Sequence, residues 1–141
     1  MNSHDTVSDI MTRNVLTVQK DSDLQDAIAL IQKHRIRHLP VLEGTKVVGI
    51  VTSNDIDRLT FGALFEDQDL ADEAVLSMLS IPQIMSANPH TVNSKDSVRS
   101  VAEIFVDKKY HALVVQDQGH VAGIVTTTDL IQYLLDQLLV K

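Results

Sequence analysis

The sequence contains no cysteine. This absence excludes disulfides, catalysis by a thiol and metal sites built from thiolates. Long hydrophobic runs are also lacking, since none approaches the ~18 apolar residues that indicate a membrane-spanning helix. The opening residues, Met1–Asp5, show no basic stretch followed by an apolar run, so they do not resemble a signal peptide. We therefore expect a soluble, cytoplasmic protein that has no membrane partner.

Positive charge is scarce. The chain carries 12 Lys and Arg against 19 Asp and Glu, which gives a formal net charge of −7. This balance opposes binding that depends on neutralising phosphates, so we expect no nucleic-acid partner. Most of the surplus acid lies between Asp55 and Glu73, where a solvated helix face or loop is the simplest interpretation.

The length of 141 residues fits one domain, or one module made of two half-domains. An apolar content of 44% is ordinary for a globular protein and argues against disorder.

A repeat organises the chain. Gly49–Asp55, with the sequence GIVTSND, recurs as Gly123–Asp129, with the sequence GIVTTTD. Further pairs match at the same offset: Ile10-Met11 with Ile84-Met85, Thr17-Val18 with Thr91-Val92, Leu39 with Leu113, and Val41 with Val115. Such a period indicates two copies of one supersecondary unit. We predict a first repeat over residues 1–60, a helical connector over 61–80 and a second repeat over 81–141.

Each repeat is predicted to be β-α-β-β-α, which makes the fold class α+β. The first strand is expected at Val15–Val18 and at Thr91–Val92. A helix should follow, because Leu24, Ala27, Ile28 and Ile31, and then Val98, Val101, Ala102 and Phe105, have helical spacing. We expect Ser22 with Gln25 to form a capping box, and Asp96 to be the N-cap of the second copy.

Two β-rich stretches in each repeat predict a hairpin. In the first repeat they are separated by Glu43–Lys46 and in the second by Asp117–His120, and both turns contain glycine. A second helix is expected to begin near Ser53 and near Thr127. The apolar run 130–139 suggests a helix that is buried against a partner subunit or in the core of its own chain.

The repeated Thr-x-x-Asp motif carries the functional chemistry. A strand ends at Thr52, and the helix that follows offers free backbone N–H groups that favour an anion. The hydroxyl groups of the motif add donors for phosphate, and Asp55 can accept both hydroxyls of a ribose diol. Asp129 repeats the arrangement. The alternative is that both carboxylates only stabilise helix starts. Gly49 and Gly123 indicate either a close backbone approach or a bulge.

The sequence resembles the cystathionine-β-synthase (CBS) domain family, as a stand-alone tandem pair called a Bateman module. The resemblance is carried by Val7–Met11, by Arg37–Val41 and by Gly-Ile-Val-Thr-x-x-Asp in both copies. It implies two sheets packed face to face about a pseudo-twofold axis, with two clefts for adenosine-containing ligands. It also implies a homodimer formed through helices, and a regulatory rather than catalytic role.

The resemblance implies two sites. One would combine Ile124, Thr126, Thr128 and Asp129 with Met11, Leu16, Ile36 and Arg37. The other would combine Ile50, Thr52, Asn54 and Asp55 with Met85, His90, Tyr110 and His111. Tyr110 would stack on adenine or simply pack, whereas Arg37, His38 and His111 would meet a polyphosphate or face solvent. The Asp129 site has the fuller set of hydroxyls and is the one favoured for ligand binding.

The expected function is therefore a sensor that binds AMP, ADP, ATP or S-adenosylmethionine as a regulatory ligand and needs no catalytic cofactor. It would act on a regulated protein that the sequence does not identify. A ligand-independent dimeric adaptor is the alternative. An enzyme is disfavoured, because no spacing of nucleophile, base and orienting residue and no Walker-type loop is visible. A metal site built from the histidines is also less favoured than histidines scattered over the surface.

Overall fold

The computed structural model describes the backbone of residues 5–66 and 77–139 and the side chains of residues 5–59 and 77–139. The helices are α1 (Val7–Ile10), α2 (Leu24–His34), α3 (Ser53–Glu66), α4 (Ile81–Ile84), α5 (Val98–Lys108) and α6 (Thr127–Leu139). The strands are β1 (Val18–Gln19), β2 (His38–Glu43), β3 (Lys46–Thr52), β4 (Ser86–Ala87), β5 (Thr91–Asn93), β6 (Ala112–Asp117) and β7 (His120–Thr126). The predicted α+β class and the order β-α-β-β-α in each repeat are confirmed. Much of the predicted connector, residues 67–76, lies outside the described residues.

The chain forms two compact units, and each unit contains a segment that precedes the other repeat. The Asp55 unit comprises residues 16–89, and the Asp129 unit comprises residues 1–15 and 90–141. We call residues 5–15 and 80–89 the lead segments, because each precedes the first strand of a repeat. The lead segment of the first repeat thus folds with the second repeat, and the reverse also holds. The sequence boundaries at residues 60 and 81 remain a prediction, since they describe similarity rather than packing.

The Asp55 unit is built on a four-stranded sheet in the order β1-β2-β3-β4. Strand β1 is parallel to β2, and the other neighbours are antiparallel. The predicted apolar face of α2 is buried, and it packs with the sheet into one core. The buried residues of this core are Val18, Leu24, Ala27, Ile28, Ile31, Leu39, Val41, Val51, Ile56 and Ile81.

The Asp129 unit contains a three-stranded sheet in the order β5-β6-β7, in which β5 is parallel to β6. Its lead segment lies beside β7, where Thr12 and Ile124 exchange backbone hydrogen bonds of 2.8 and 3.0 Å. The core is again one cluster of apolar residues: Val7, Met11, Val92, Val101, Phe105, Leu113, Val115 and Val125.

Both predicted hairpins are present, and they share the same irregularity. Their turns place Gly44 in one copy and Gln118 and Gly119 in the other at positive φ. The pairing of each hairpin then slips by one residue on the β3 or β7 side, which is the signature of a β-bulge. A bulge therefore precedes both Gly49 and Gly123, which agrees with the interpretation of these glycines as marks of a bulge.

Three local predictions were wrong. The N-cap of α2 is Asp23 rather than Ser22, because α2 begins at Leu24 and Ser22 lies in the preceding turn, where its N–H donates to the carbonyl of Gln19 at 3.0 Å. The N-cap of α5 is Ser97, whose hydroxyl accepts from the backbone N–H of Ser100 at 3.0 Å.

The carboxylate of Asp96 is occupied one turn earlier, where it accepts from the backbone N–H of Asn93 at 2.9 Å. Strand β1 begins at Val18 rather than Val15, because pairing with β2 starts only there. Among the described residues, no helix combines the length and apolar character needed to cross a bilayer.

Candidate functional site

The repeated motif lies where a strand passes directly into a helix. Strand β3 ends at Thr52 and α3 begins at Ser53, and strand β7 ends at Thr126 and α6 begins at Thr127. The helix starts are tied to their own repeats by equivalent bonds, since Ser53 N–H donates to the Arg37 carbonyl at 2.9 Å. Each motif is therefore held at the N-terminal end of a long helix, where backbone N–H groups favour negative charge.

Threonine and aspartate in each motif cap each other. In the second repeat, Thr126 N–H donates to Asp129 Oδ2 at 3.0 Å, and Asp129 N–H donates to Thr126 Oγ1 at 3.0 Å. In the first repeat, the corresponding distances between Thr52 and Asp55 are 3.0 and 3.2 Å. Stabilisation of the helix start is thus a real role of both aspartates. The cap involves Oδ2 of each aspartate and fixes the direction of the carboxylate.

The second carboxylate oxygen has a different partner in each repeat. Asp55 Oδ1 accepts from the guanidinium of Arg58, an ion pair in which the arginine side chain is 76% exposed and the aspartate 12%. At Asp129, the hydroxyl of Thr12 lies 3.4 Å from both Oδ1 and Oδ2. One carboxylate therefore faces a cation and the other a neutral hydroxyl.

Helix α6 holds the lead segment a second time, one turn after Asp129. The hydroxyl of Tyr133 donates to Asp5 Oδ2 at 2.6 Å. This hydrogen bond to Asp5, together with burial and the negative charges of Asp5 and Asp9, raises the pKa of Tyr133 to about 12. The lead segment is therefore attached to α6 through one long and one short hydrogen bond.

The other predicted residues of the Asp129 unit fall into two groups. Ile124 is buried in β7, and Met11 is buried next to Gly123, whereas Thr128 is exposed. His90 and Tyr110 form an edge-to-face ring pair with centroids 5.6 Å apart, and Tyr110 is 42% exposed. His111 is exposed, and its carbonyl accepts from Thr127 N–H at 3.0 Å.

The Asp55 unit contains the remaining predicted residues. Leu16, Ile36 and Met85 are half-buried and pack against the core of this unit. Ile50 is half-buried in β3, while Asn54 and Arg37 are exposed. The structure thus brings Met11 together with the Asp129 motif and Met85 together with the Asp55 motif. The combination of either motif with predicted residues of the other unit remains a prediction.

The two glycines allow the lead segments to approach the strands. A Cβ at Gly123 would lie 2.5 Å from the carbonyl oxygen of Thr12 and 2.9 Å from the sulfur of Met11. A Cβ at Gly49 would overlap the side chain of Met85, with Cγ 2.8 Å away. Close approach and a bulge therefore occur together at both positions, so the two interpretations were not exclusive.

Sequence reasoning did not identify Thr12 and Arg58 as neighbours of the two carboxylates. The spacing of Asp55 and Arg58, three residues apart on a helix, is a recognisable signal for an ion pair. The Thr12 contact has no local signal, because 117 residues separate it from Asp129. As for metal ions, no group of three or more His, Asp and Glu side chains suited to holding one occurs within the part of the chain that the structure describes.

The similarity of this chain to known proteins agrees with the internal repeat. A model of the CBS domain matches residues 7–61 and again residues 81–136. Among curated proteins, homoserine O-acetyltransferase of Methanocorpusculum labreanum is 36% identical over 127 residues, which is 89% of this chain and 23% of that protein. The chain spans about a quarter to a half of the length of the first curated relatives that it matches.

Two solved structures match over nearly the full length of both chains. CBSX2 in complex with AMP has 25% identity and a TM-score of 0.73, and the match covers 94% of this chain and 98% of that one. The CBS domain pair of protein MJ0100, in complex with 5′-methylthioadenosine and S-adenosylmethionine, has 26% identity and a TM-score of 0.74, with coverages of 94% and 97%.

Proposed function

Because the chain belongs to the CBS domain family, with two copies of the domain, we propose that it is a non-catalytic regulatory module. It binds an adenosine-containing ligand, of the AMP, ADP, ATP or S-adenosylmethionine type, through the repeated Thr-x-x-Asp motif. Some relatives are named as enzymes, but this chain spans only a small part of those proteins, so we do not propose their activities for it.

The Asp129 carboxylate is the observation on which the proposal depends. Its Oδ2 is fixed by Thr126 N–H, and its other oxygen has only the long contact with a neutral hydroxyl among the hydrogen bonds of the described residues. A carboxylate with an accessible oxygen accepts hydroxyl donors strongly, and a ribose diol supplies two. The start of α6 adds threonine hydroxyls and the positive end of the helix dipole, both of which favour a phosphate.

Similarity to the ligand-bound structures supports the same ligand class. CBSX2 binds AMP, and the MJ0100 domain pair binds 5′-methylthioadenosine and S-adenosylmethionine. All three molecules contain an adenosyl group with a vicinal diol. We propose that Asp129 binds this diol, with Met11 and Ile124 of the same unit near it. Asp55, with Met85 of its own unit, is the second site.

Calorimetric titration with AMP, ADP, ATP and S-adenosylmethionine tests this function. The informative variant is Asp129→Asn, because asparagine keeps an oxygen for the helix cap and loses the charge that the diol needs. Loss of a hydrogen bond to a charged group costs about 1.5–3 kcal/mol, so binding should weaken at least tenfold.

Asp136→Asn is the matched control, since it removes the same charge from the same helix. Asp136 lies on the exposed side of α6, where its carboxylate accepts a hydrogen bond from Gln132, one turn earlier in the helix. Undiminished affinity in Asp129→Asn would refute the assignment of the site. If the unaltered protein shows no heat of binding with any of the four ligands at millimolar concentration, the ligand-independent adaptor becomes the better proposal.

We also propose that the module is a homodimer joined through α6. One face of this helix carries apolar side chains that are 38 to 83% exposed: Ile131, Leu134, Leu135, Leu138 and Leu139. Tyr133, on the opposite face, is buried. An apolar stripe of this kind is typical of an interaction surface. Light scattering coupled to gel filtration measures the mass.

The unidentified protein that the module regulates, and a location in the cytoplasm, remain part of the proposal.

A further inference from the structure

The hydroxyl of Thr12 occupies a position that a ligand hydroxyl would take. It lies 3.4 Å from each oxygen of the Asp129 carboxylate, so it faces the pair of acceptors symmetrically. A vicinal diol bound by a carboxylate places its donors against the same two oxygens. Thr12 and the diol therefore use the same hydrogen-bonding capacity of one side chain.

The backbone holds Thr12 at this place. Two backbone hydrogen bonds join it to Ile124, at 2.8 and 3.0 Å, in the strand that leads to Asp129. Gly123 leaves room for the carbonyl oxygen of Thr12, which a larger residue would displace. The hydroxyl is therefore presented to the carboxylate by a fixed segment. Its 3.4 Å distances are near the limit for a hydrogen bond, so the contact is weak and easily exchanged.

The first repeat lacks this arrangement. Ser86 corresponds to Thr12 by its position after Ile84-Met85, and it pairs with Ile50 as Thr12 pairs with Ile124. Among the described residues, however, the side-chain partner of Asp55 Oδ1 is Arg58 on its own helix. The serine hydroxyl is not a partner of that carboxylate. Ser86 thus provides a matched position where the same hydroxyl can be removed.

We propose that Thr12 is an affinity-setting residue of the Asp129 site: its hydroxyl competes with the ligand diol, which must displace it. This inference rests on the proposed function, since it assumes that a diol binds Asp129. Binding then exchanges one weak hydrogen bond to the carboxylate for two from the sugar. The lead segment loses its attachment to Asp129 while it keeps the short bond between Tyr133 and Asp5.

The test compares AMP binding to the unaltered protein and to Thr12→Val, in which a methyl group replaces the hydroxyl at nearly constant shape. Without its competitor, the Asp129 site should bind AMP about threefold more tightly, on the scale of one weak hydrogen bond. Thr12→Ser keeps the hydroxyl and should bind like the unaltered protein. Ser86→Ala should not alter the affinity of this site. Thr12→Ala removes the hydroxyl without a β-branched replacement, in case valine disturbs folding.

The outcomes separate this inference from the function on which it rests. If the unaltered protein binds AMP and both hydroxyl-free variants bind it equally or more weakly, Thr12 is a neutral or helpful neighbour and the inference is overturned. If none of the proteins binds AMP or S-adenosylmethionine, the proposed function itself fails. A crystal structure with AMP offers a second measurement, in which the Thr12 hydroxyl should lie beyond hydrogen-bond distance from Asp129.

Discussion

The two carboxylate oxygens of Asp129 have different roles. One oxygen closes the cap with Thr126, an interaction of about 1 kcal/mol in typical helices. The other is left to a neutral and weakly bound neighbour, Thr12. In the equivalent carboxylate of Asp55, an arginine takes that place. Because the arginine side chain is 76% exposed, the ion pair contributes little stability, but a ligand at Asp55 would have to displace or share the guanidinium. The residues beside the two carboxylates therefore make the two repeats unequal.

Tyr133 makes the protein sensitive to alkali. Its pKa is raised to about 12, first by the hydrogen bond to Asp5 and then by burial. A tyrosine whose pKa is higher in the folded than in the unfolded chain contributes stability that is complete below its ordinary pKa, about 10. We expect this contribution to fall as the pH rises from 10 to 12. Urea unfolding at pH 9 and pH 11.5 measures it.

The control uses the second tyrosine of the chain. Tyr133→Phe should lower stability at pH 9 by about 1 kcal/mol, the scale of one hydrogen bond, and should lose less on going to pH 11.5 than the unaltered protein. Tyr110→Phe removes an exposed phenol and should keep the full alkaline loss. Equal losses in all three proteins would show that the hydrogen bond between Tyr133 and Asp5 does not govern this behaviour.

At the level of elements, the repeat is a strand-helix-hairpin-helix unit whose last strand needs a neighbour from elsewhere in the chain. Strand β4 pairs with β3 at Gly49 and Ile50, and Thr12 pairs with Ile124 beside β7. In both places a bulge and a glycine occur together on the receiving strand. The bulge bends the strand, and the glycine removes the side chain that the incoming segment would meet.

The two glycines should differ in their tolerance of alanine. At Gly123, the added methyl group would meet the backbone carbonyl of Thr12, whereas at Gly49 it would meet the flexible side chain of Met85. We expect Gly123→Ala to cost about 1–3 kcal/mol, the usual penalty for overpacking, and Gly49→Ala clearly less. Urea denaturation of both variants provides the comparison. A larger penalty for Gly49→Ala would contradict the assignment of backbone crowding to the second repeat.

The elements were predictable because they follow from local patterns. Helical spacing of Leu24, Ala27, Ile28 and Ile31 located α2, and glycine-containing turns located both hairpins. The caps were each misplaced by one residue. Asp23 precedes α2 without a side-chain cap hydrogen bond, and at α5 neighbouring Asp96 and Ser97 accept from different backbone N–H groups. The Thr-x-x-Asp motif was found from its repetition. Its neighbour Thr12 could not be found, since the repeat aligns it with Ser86 and gives no sign of its pairing with Ile124.

At the scale of the whole molecule, an apolar face of α6 is exposed among the residues that the structure describes. It lies on the side of the helix away from Tyr133, so Leu130 and Tyr133 pack inward while the leucines from Leu134 onward stay accessible. Such a surface on a chain of this size favours association with a second copy. Because the same helix begins at the candidate ligand site, the proposed binding and the proposed dimer involve a common element.

The proposed dimer predicts a sharp contrast between two lysine substitutions on α6. Leu135→Lys places a charge in the middle of the apolar stripe, where burial without a partner is costly, and should convert the dimer to a monomer. Gln132→Lys adds the same charge beside Asp136, off the stripe, and should leave the mass unchanged. Sedimentation velocity across a range of concentrations distinguishes the species. A dimer that persists in Leu135→Lys would show that another surface joins the subunits.

The exchange of lead segments between the repeats has a consequence for biosynthesis. A ribosome synthesises Thr12 long before Asp129, and 117 residues must follow Thr12 before the two can meet. Residues 5–15 therefore lack the strand they pack against while the Asp55 unit, complete by residue 89, is free to fold first. Deleting residues 5–15 would accordingly damage the Asp129 unit, whose other residues are synthesised later, and spare the Asp55 unit that the deletion adjoins.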